Sequence, residues 1–193
     1  MALPQLKQRR FTPEEYYKLE RDAAYKSDFY DGEIFDMSGG TARHSKITFN
    51  LSVAVGMQLR GKTCEAYESN LRVAILKTGL RTYPDVSIYC QPLDFDPEDT
   101  GQTTAVNPTV VFEVLSPSTE RYDRGLKAEQ YRQIDSLTAH VIVWQTEAKI
   151  EVFARDGDAW TPTVATGLDA SIVIPGPDVS IKLADVYDRV TFD

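Results

Sequence analysis

Residues 109–119 read TVVFEVLSPST. From Thr109 to Leu115 the run is nearly continuous apolar, with Glu113 set among Val111, Phe112, Val114 and Leu115, which predicts a strand covered on both faces. The SPST that follows breaks the strand. A carboxylate inside such a strand is costly unless it is paired, hydrogen-bonded or bound to a metal. Glu113 is therefore the first candidate site residue. The plainer alternative is a half-exposed strand that turns Glu113 to solvent.

Upstream, TYPDVSIY (Thr82–Tyr89) reads as one strand with Asp85 inside it and Pro84 before it. Two carboxylates on successive strands, Asp85 and Glu113, can converge on one cation. Magnesium takes oxygen ligands and keeps several waters, so two carboxylates and a carbonyl suffice. A Pro-Asp turn or a buried ion pair would leave the same pattern. Downstream, Asp123 is a candidate cap for a helix from Arg124 to about Ile134. Lys127 and Tyr131 lie four apart and share a helical face with Asp123. A lysine beside metal-binding carboxylates can orient an attacking water or stabilise charge on a phosphorane-like transition state. The competing reading is an exposed Asp123–Lys127 pair worth roughly 0.3–0.5 kcal/mol. Arg121, Arg124 and Arg132 add positive charge nearby.

Further out, Thr12, Pro13 and Glu15 announce a helix to about Asp22 with a capping box, and Phe11 and Tyr16 are placed as its hydrophobic staple. Phe29 to Met37 reads as a hairpin around Asp31-Gly32, ended by Ser38-Gly39-Gly40. Glu33, after that turn, is either a third acidic group near the metal or a solvent-facing hairpin residue. Apolar positions Ile47, Leu51, Ala54, Val55 and Leu59 predict a helix from about Thr41 to Arg60, with Gly61 past its end. His44 opens this helix, as a supporting site residue or a structural one. Strands are expected at Thr63–Glu68 and Leu71–Leu76, and Gly79 turns the chain into Thr82–Tyr89. Gln91–Pro108 reads as a long acidic loop, a substrate clamp, a dimer contact or a floppy segment. HVIVWQ, KIEVFAR and WTPTVAT follow as strands, with turns near Glu147 and at Asp156-Gly157. The end, IVIPGPDVSIKLADVY, reads as a strand and a short helix. Together these elements predict an α/β or α+β fold, a mixed sheet with helices packed on it.

The 193 residues, 42% of them hydrophobic, suit a single domain spanning 1–193 with its own core. No run of about 18 apolar residues is present, which argues against a membrane helix. MALPQLKQRRF lacks a signal-peptide core, so a cytoplasmic location is expected. The net charge of −8 excludes nucleic-acid coating by bulk positive charge. With His44 and His140 the only histidines, a metal site must be carboxylate-rich, favouring magnesium, manganese or calcium over zinc. Cys64 and Cys90 lack CxxC spacing and are read as reduced core residues. His140 is assigned no role.

The order PDVSI, VVFEVLSPST, DRGLKAEQY, HVIVWQ and KIEVFAR resembles the Uma-two family of putative restriction endonucleases, in the PD-(D/E)XK nuclease superfamily. The leading TPEEYYKLE helix and the FYDGEIFDMSGG hairpin join the likeness, which covers about Phe11 to Tyr187. It implies a restriction-endonuclease-like fold, a central mixed sheet flanked by helices. It also implies Mg-dependent cleavage of DNA, with Mn as an alternative metal. Asp85 matches the Asp of PD, and Glu113 matches the acidic residue of the second half, so both are implied metal ligands. The superfamily pattern has lysine two residues after the acidic residue, where this chain has Leu115. Lys127, on the following helix, is the implied replacement. Glu33, His44 and Tyr131 are supporting candidates. Arg121, Arg124 and Arg132, with Lys7, Arg9 and Arg10, are the candidate DNA contacts. Cutting both strands implies a homodimer. Two other readings stand beside this one. One is a non-catalytic binding protein on a nuclease scaffold. The other is a hydrolase of some other phosphate ester.

Overall fold

The computed structural model describes residues 9–37 and 39–192. Expectations placed on Lys7 and Ser38 fall outside them. Helix α1 (Pro13–Asp22) starts as its caps dictate: Glu15 N–H donates to Thr12 Oγ1, and Thr12 N–H donates to the Glu15 carboxylate. Phe11 packs on the cluster of Tyr16, Tyr17 and Phe29, completing the staple. β1 (Ser27–Tyr30) and β2 (Glu33–Asp36) form the expected hairpin. Its turn needs positive φ at both central residues, and Asp31 (47°) and Gly32 (79°) supply it. Helix α2 (Ala42–Leu59) begins at Thr41, whose hydroxyl accepts the His44 N–H.

β3 (Glu65–Glu68) and β4 (Arg72–Ile75) fall close to expectation. The single strand expected over Thr82–Tyr89 is instead two, β5 (Leu80–Thr82) and β6 (Val86–Tyr89). They belong to different sheets, and the chain crosses between the sheets at Tyr83-Pro84-Asp85. Proline cannot donate a ladder hydrogen bond, so the strand breaks where Pro84 stands. Gln91–Pro108 is tied to the fold by a strand and by buried carboxylates. β7 (Thr104–Ala105) pairs with β4, Asp96 accepts from Tyr17 and Arg81, and Asp99 accepts from Gly101, Thr103 and Thr104.

β8 (Val110–Val114) is buried along its whole length. The helix after it starts earlier than expected. α3 (Glu120–Tyr122), a turn kinked at Gly125 (Asp123–Lys127) and α4 (Ala128–Tyr131) run on as one bent segment. Asp123 lies inside it with helical φ and ψ and caps nothing. β9 (Ala139–Val143), β10 (Lys149–Asp156) and β11 (Ala159–Thr166) follow. The expected C-terminal strand is a hairpin, β12 (Ser171–Ile174) and β13 (Val179–Lys182), before the short α5 (Leu183–Val186). Positive φ at Gly176 and Asp178 turns it.

The strands form a mixed six-stranded sheet, β11-β10-β9-β8-β6-β3, a five-stranded sheet, β2-β1-β5-β4-β7, and the C-terminal pair. Side chains alternate across a strand, so each sheet face has its own partner. Val110, Phe112 and Val114 face α2 through Ile47, Leu51 and Val55. Val111 faces the other way, joining Val73, Ile75 and Leu80 of the five-stranded sheet and Tyr131 of α4. Glu113 shares that second face, between the sheets and beneath the bent helix.

Cys64 and Cys90 are in the core as expected, but they are joined by a disulfide rather than reduced. Glu65 opposes Tyr89 in the β3–β6 ladder, so the next positions outward face each other. No helix among the described residues is long and apolar enough to cross a membrane.

His140 is fully buried between Tyr131 and Phe153, and neither ring nitrogen has a hydrogen-bond partner. Burial, with Arg132 and Lys127 nearby, pushes its pKa down to about 3. The unfolded chain takes up a proton near pH 6.5 and the folded chain does not, so this residue's stability is lost as pH falls from about 6.5 toward 3. His140→Leu should therefore remove about 2 kcal/mol of acid destabilisation at pH 5. Urea titrations at pH 5 and 8 check this, and an equal change at both pH values contradicts it.

Candidate active site

Glu113 is 4% exposed, and two side chains of the bent helical segment converge on it. Lys127, from the kinked turn, places Nζ 2.8 Å from Glu113 Oε1 and 3.6 Å from Asp123 Oδ1. Tyr131, one turn on in α4, donates its hydroxyl to Glu113 Oε1 at 2.7 Å. The bend at Gly125 (φ −102°, ψ −107°) keeps Asp123, Lys127 and Tyr131 turned to the sheet. Lys127 is thus buried, and the reading of an exposed surface pair is excluded.

Asp85 sits at the crossover between the two sheets. Its N–H donates to Phe112 O at 3.1 Å, and its Oδ2 accepts the Val114 N–H at 2.7 Å. The side chain therefore continues the β6–β8 ladder where Pro84 interrupts it. His44 Nε2 lies 3.3 Å from the same oxygen. Asp85 and His44 keep 17% and 19% side-chain exposure, so this end of the site reaches solvent.

Electrostatics separate the groups. Burial raises the Glu113 carboxyl, with Asp123 and Asp85 adding to the rise and Lys127 opposing it. Burial also works against the Lys127 charge, yet Glu113, Asp28 and Asp123 hold it above the ordinary lysine value. Three carboxylates around one amine make the ammonium the dominant form. Tyr131 is raised by burial and by Glu113, so it remains a phenol and a donor. For His44, burial disfavours the charge, but the Asp85 bond outweighs it and the pKa rises.

Asp28, on β1, is the residue that sequence reasoning missed. It is 7% exposed, its Oδ1 has no hydrogen-bond partner, and it interacts electrostatically with Lys127 and Asp123. The same signal that marked Asp85 and Glu113, a carboxylate beside strand-forming aromatics, was present in SDFY. The sequence expectation for this hairpin is Glu33 instead. It lies on the outermost strand opposite Tyr30, and its electrostatic partner is Arg10. Burial raises the Asp28 carboxyl, so its ionised form costs stability at neutral pH. Asp28→Asn should raise the thermal midpoint of metal-free protein, by about 2–4 °C for each kcal/mol gained. A lower midpoint in calorimetry would mean that Asp28 is a net stabiliser.

The candidate DNA contacts are mostly committed elsewhere. Arg124 donates to Glu151 at 2.8 Å and lies over Trp144, and Arg132 lies over Phe153 and Trp160 with a buried Nε. Arg9 pairs with Glu15 and Arg10 with Asp31. Arg121 is exposed. Among the described residues no three His, Cys, Asp or Glu side chains form a ready ligand set. Asp85 and Glu113 each retain an oxygen free of hydrogen bonds within this group.

A family model described as Uma2, putative restriction endonuclease, matches residues 13–184. Two uncharacterized proteins of Synechocystis are similar. One is 37% identical over 77% of this chain and 76% of its own length, the other 32% identical over 83% and 90%. The crystal structure of a putative nuclease belonging to DUF820, from Anabaena variabilis, superposes with a TM-score of 0.73 at 16% identity, covering 92% of this chain and 97% of that one. At that identity the likeness shows the fold, and the mixed sheets flanked by helices agree with the restriction-endonuclease-like fold expected from the sequence.

Proposed function

Because the chain belongs to the Uma2 family of putative restriction endonucleases, we propose that it is a metal-dependent endonuclease that hydrolyses DNA phosphodiesters, using Mg2+ or Mn2+. The observation that carries this reading is the position of Lys127. It reaches Glu113 from a helix, at 2.8 Å, although the strand position two residues after Glu113 is Leu115.

The cluster also suits a cation. Asp28, Asp85, Glu113 and Asp123 face one ammonium and one imidazole, and one buried Asp28 oxygen is unpartnered. Asp85 and Glu113 would hold the metal through their free oxygens. Two carboxylates without a third ready ligand match a hard cation that keeps several waters. When bound, the metal would lower the pKa of a bound water and offset charge on the phosphate. Lys127 stays charged, so it stabilises and orients; it does not take up a proton. Tyr131 and Lys127 both hold Glu113 Oε1, which leaves the other oxygen as the one to meet a metal. His44 sits at the exposed end, where a phosphodiester would enter. With Arg124 and Arg132 engaged within the fold, Arg121 is the predicted DNA contact of the three.

A homodimer and a cytoplasmic location accompany this reading. The disulfide pulls against the latter, because disulfides are rare in reducing compartments. Calorimetric titration of Mg2+ and Mn2+, with nicking of supercoiled plasmid, tests the proposal. Binding and nicking together support it. Binding without nicking moves the substrate to another phosphate ester. Absence of both overturns it and favours a binding protein on a nuclease scaffold.

A further inference from the structure

Gln145, just past β9, is 5% exposed and carries no charge. Its Nε2 donates to the carbonyl of Leu115, and its Oε1 accepts from Thr41 Oγ1 at 3.0 Å. Thr41 Oγ1 accepts the His44 N–H at 3.1 Å. His44 Nε2 lies 3.3 Å from Asp85 Oδ2, and that oxygen accepts the Val114 N–H at 2.7 Å. Val114 and Leu115 are consecutive, so the circuit closes on itself. It runs through Gln145, Thr41, His44, Asp85, Val114 and Leu115, and ties together the ends of β8 and β9, the start of β6 and the start of α2.

The donor accounting gives Gln145 a specific part. Its planar amide offers a donor and an acceptor in fixed relation. Here each is used on a different element. The Thr41 hydroxyl has a single hydrogen, and giving it to Gln145 leaves a lone pair aimed at the His44 N–H. No charged side chain at this position could serve both partners. A carboxylate would repel the Leu115 carbonyl, and an ammonium could not accept from Thr41.

We propose that Gln145 is a positioning residue of the site. It sets the start of α2, and with it His44, against Asp85, and it holds the end of β8 that carries Glu113. The effect on metal binding rests on the nuclease reading; the effect on His44 does not.

Gln145→Met keeps the side chain's length and loses both bonds. Gln145→Glu keeps the acceptor for Thr41 and loses the donor to Leu115. Three measurements on the intact protein decide the matter: the ring carbon–proton NMR signal of His44 at fixed pH, Mn2+ binding by calorimetry, and the thermal midpoint. In Gln145→Met the His44 signal should move toward its position in Asp85→Asn, and Mn2+ affinity should fall about tenfold, as for other outer-shell changes. In Gln145→Glu the His44 signal should stay near the wild-type position while Mn2+ affinity falls. A lower thermal midpoint with wild-type His44 signal and Mn2+ affinity would overturn the proposal and leave Gln145 a structural residue. If Gln145→Met fails to fold, the Mn2+ affinity of Gln145→Glu decides. If the wild-type protein binds no Mn2+, the nuclease reading fails and the His44 signal decides alone.

Discussion

Glu113→Gln is expected to lose metal binding and plasmid nicking together. The substitution keeps the shape of the side chain and its place under Lys127 and Tyr131, so packing at 4% exposure is little disturbed. The charge is what disappears. Lys127 retains Asp123 at 3.6 Å and the electrostatic partner Asp28, so no buried charge is stranded. A neutral amide brings a hard cation an oxygen but no negative charge, and Mg2+ is held through one or two carboxylates. Metal affinity should therefore fall by more than the 10–100-fold, roughly, that outer-shell changes cost. Asp85→Asn should act in the same direction, with the added loss of the His44 contact. Calorimetry and nicking on one preparation check both variants. If Glu113→Gln binds Mg2+ as the wild type does, Glu113 is not a ligand and the proposed site is wrong.

Lys127→Met gives the second large effect, and a different pattern. Nicking should fall about 10²–10³-fold, the usual loss when one preorganised charge is removed from a developing transition state. Metal binding should survive, because the carboxylates remain and lose a competing cation. Stability should suffer, since breaking a buried pair costs about 3–5 kcal/mol. Because burial has already raised the Glu113 carboxyl, protonation of Glu113 limits the cost to the lower end. Added Mg2+ should restore part of the thermal midpoint by replacing the missing charge. Wild-type nicking in this variant would remove Lys127 from the mechanism. Loss of metal binding along with nicking would make it a structural support for the carboxylates.

Much of this architecture follows from short-range chemistry. The Thr12 capping box, the Thr41 cap and the Asp31-Gly32 turn satisfy backbone groups within four residues of themselves, so the chain states them locally. β8 was legible because a strand buried on both faces must be apolar throughout, and Glu113 stood out against that run. Where the local signal was broken by one residue, reading failed. Pro84 splits a strand between two sheets, and Gly176 folds the expected terminal strand into a hairpin. The helix carrying Lys127 begins at Glu120 instead of Arg124, because Asp123 spends its carboxylate on Lys127 and does not cap.

The sequence by itself determined the mixed α/β class, the helix starts and turns, and the candidacy of Asp85, Glu113, Lys127 and Tyr131. Asp85 and Glu113 show as carboxylates inside strand-like runs, and Lys127 and Tyr131 as residues sharing a helical face with Asp123. Only the tertiary structure decided which polar residues share one buried space. Gln145 looks ordinary in the chain and Asp28 shows only as a carboxylate among aromatics; they matter because sheets and helix ends distant in sequence bring them to Thr41 and to Lys127. Arg124 and Arg132 look free in the chain, yet Glu151, Trp144, Phe153 and Trp160 occupy them. The same distinction separates Cys64 and Cys90 as core residues from their joining as a disulfide. The physical reason is that hydrophobic and capping patterns act between near neighbours, whereas the cost of burying a charge or an amide depends on partners that only folding brings within hydrogen-bond reach.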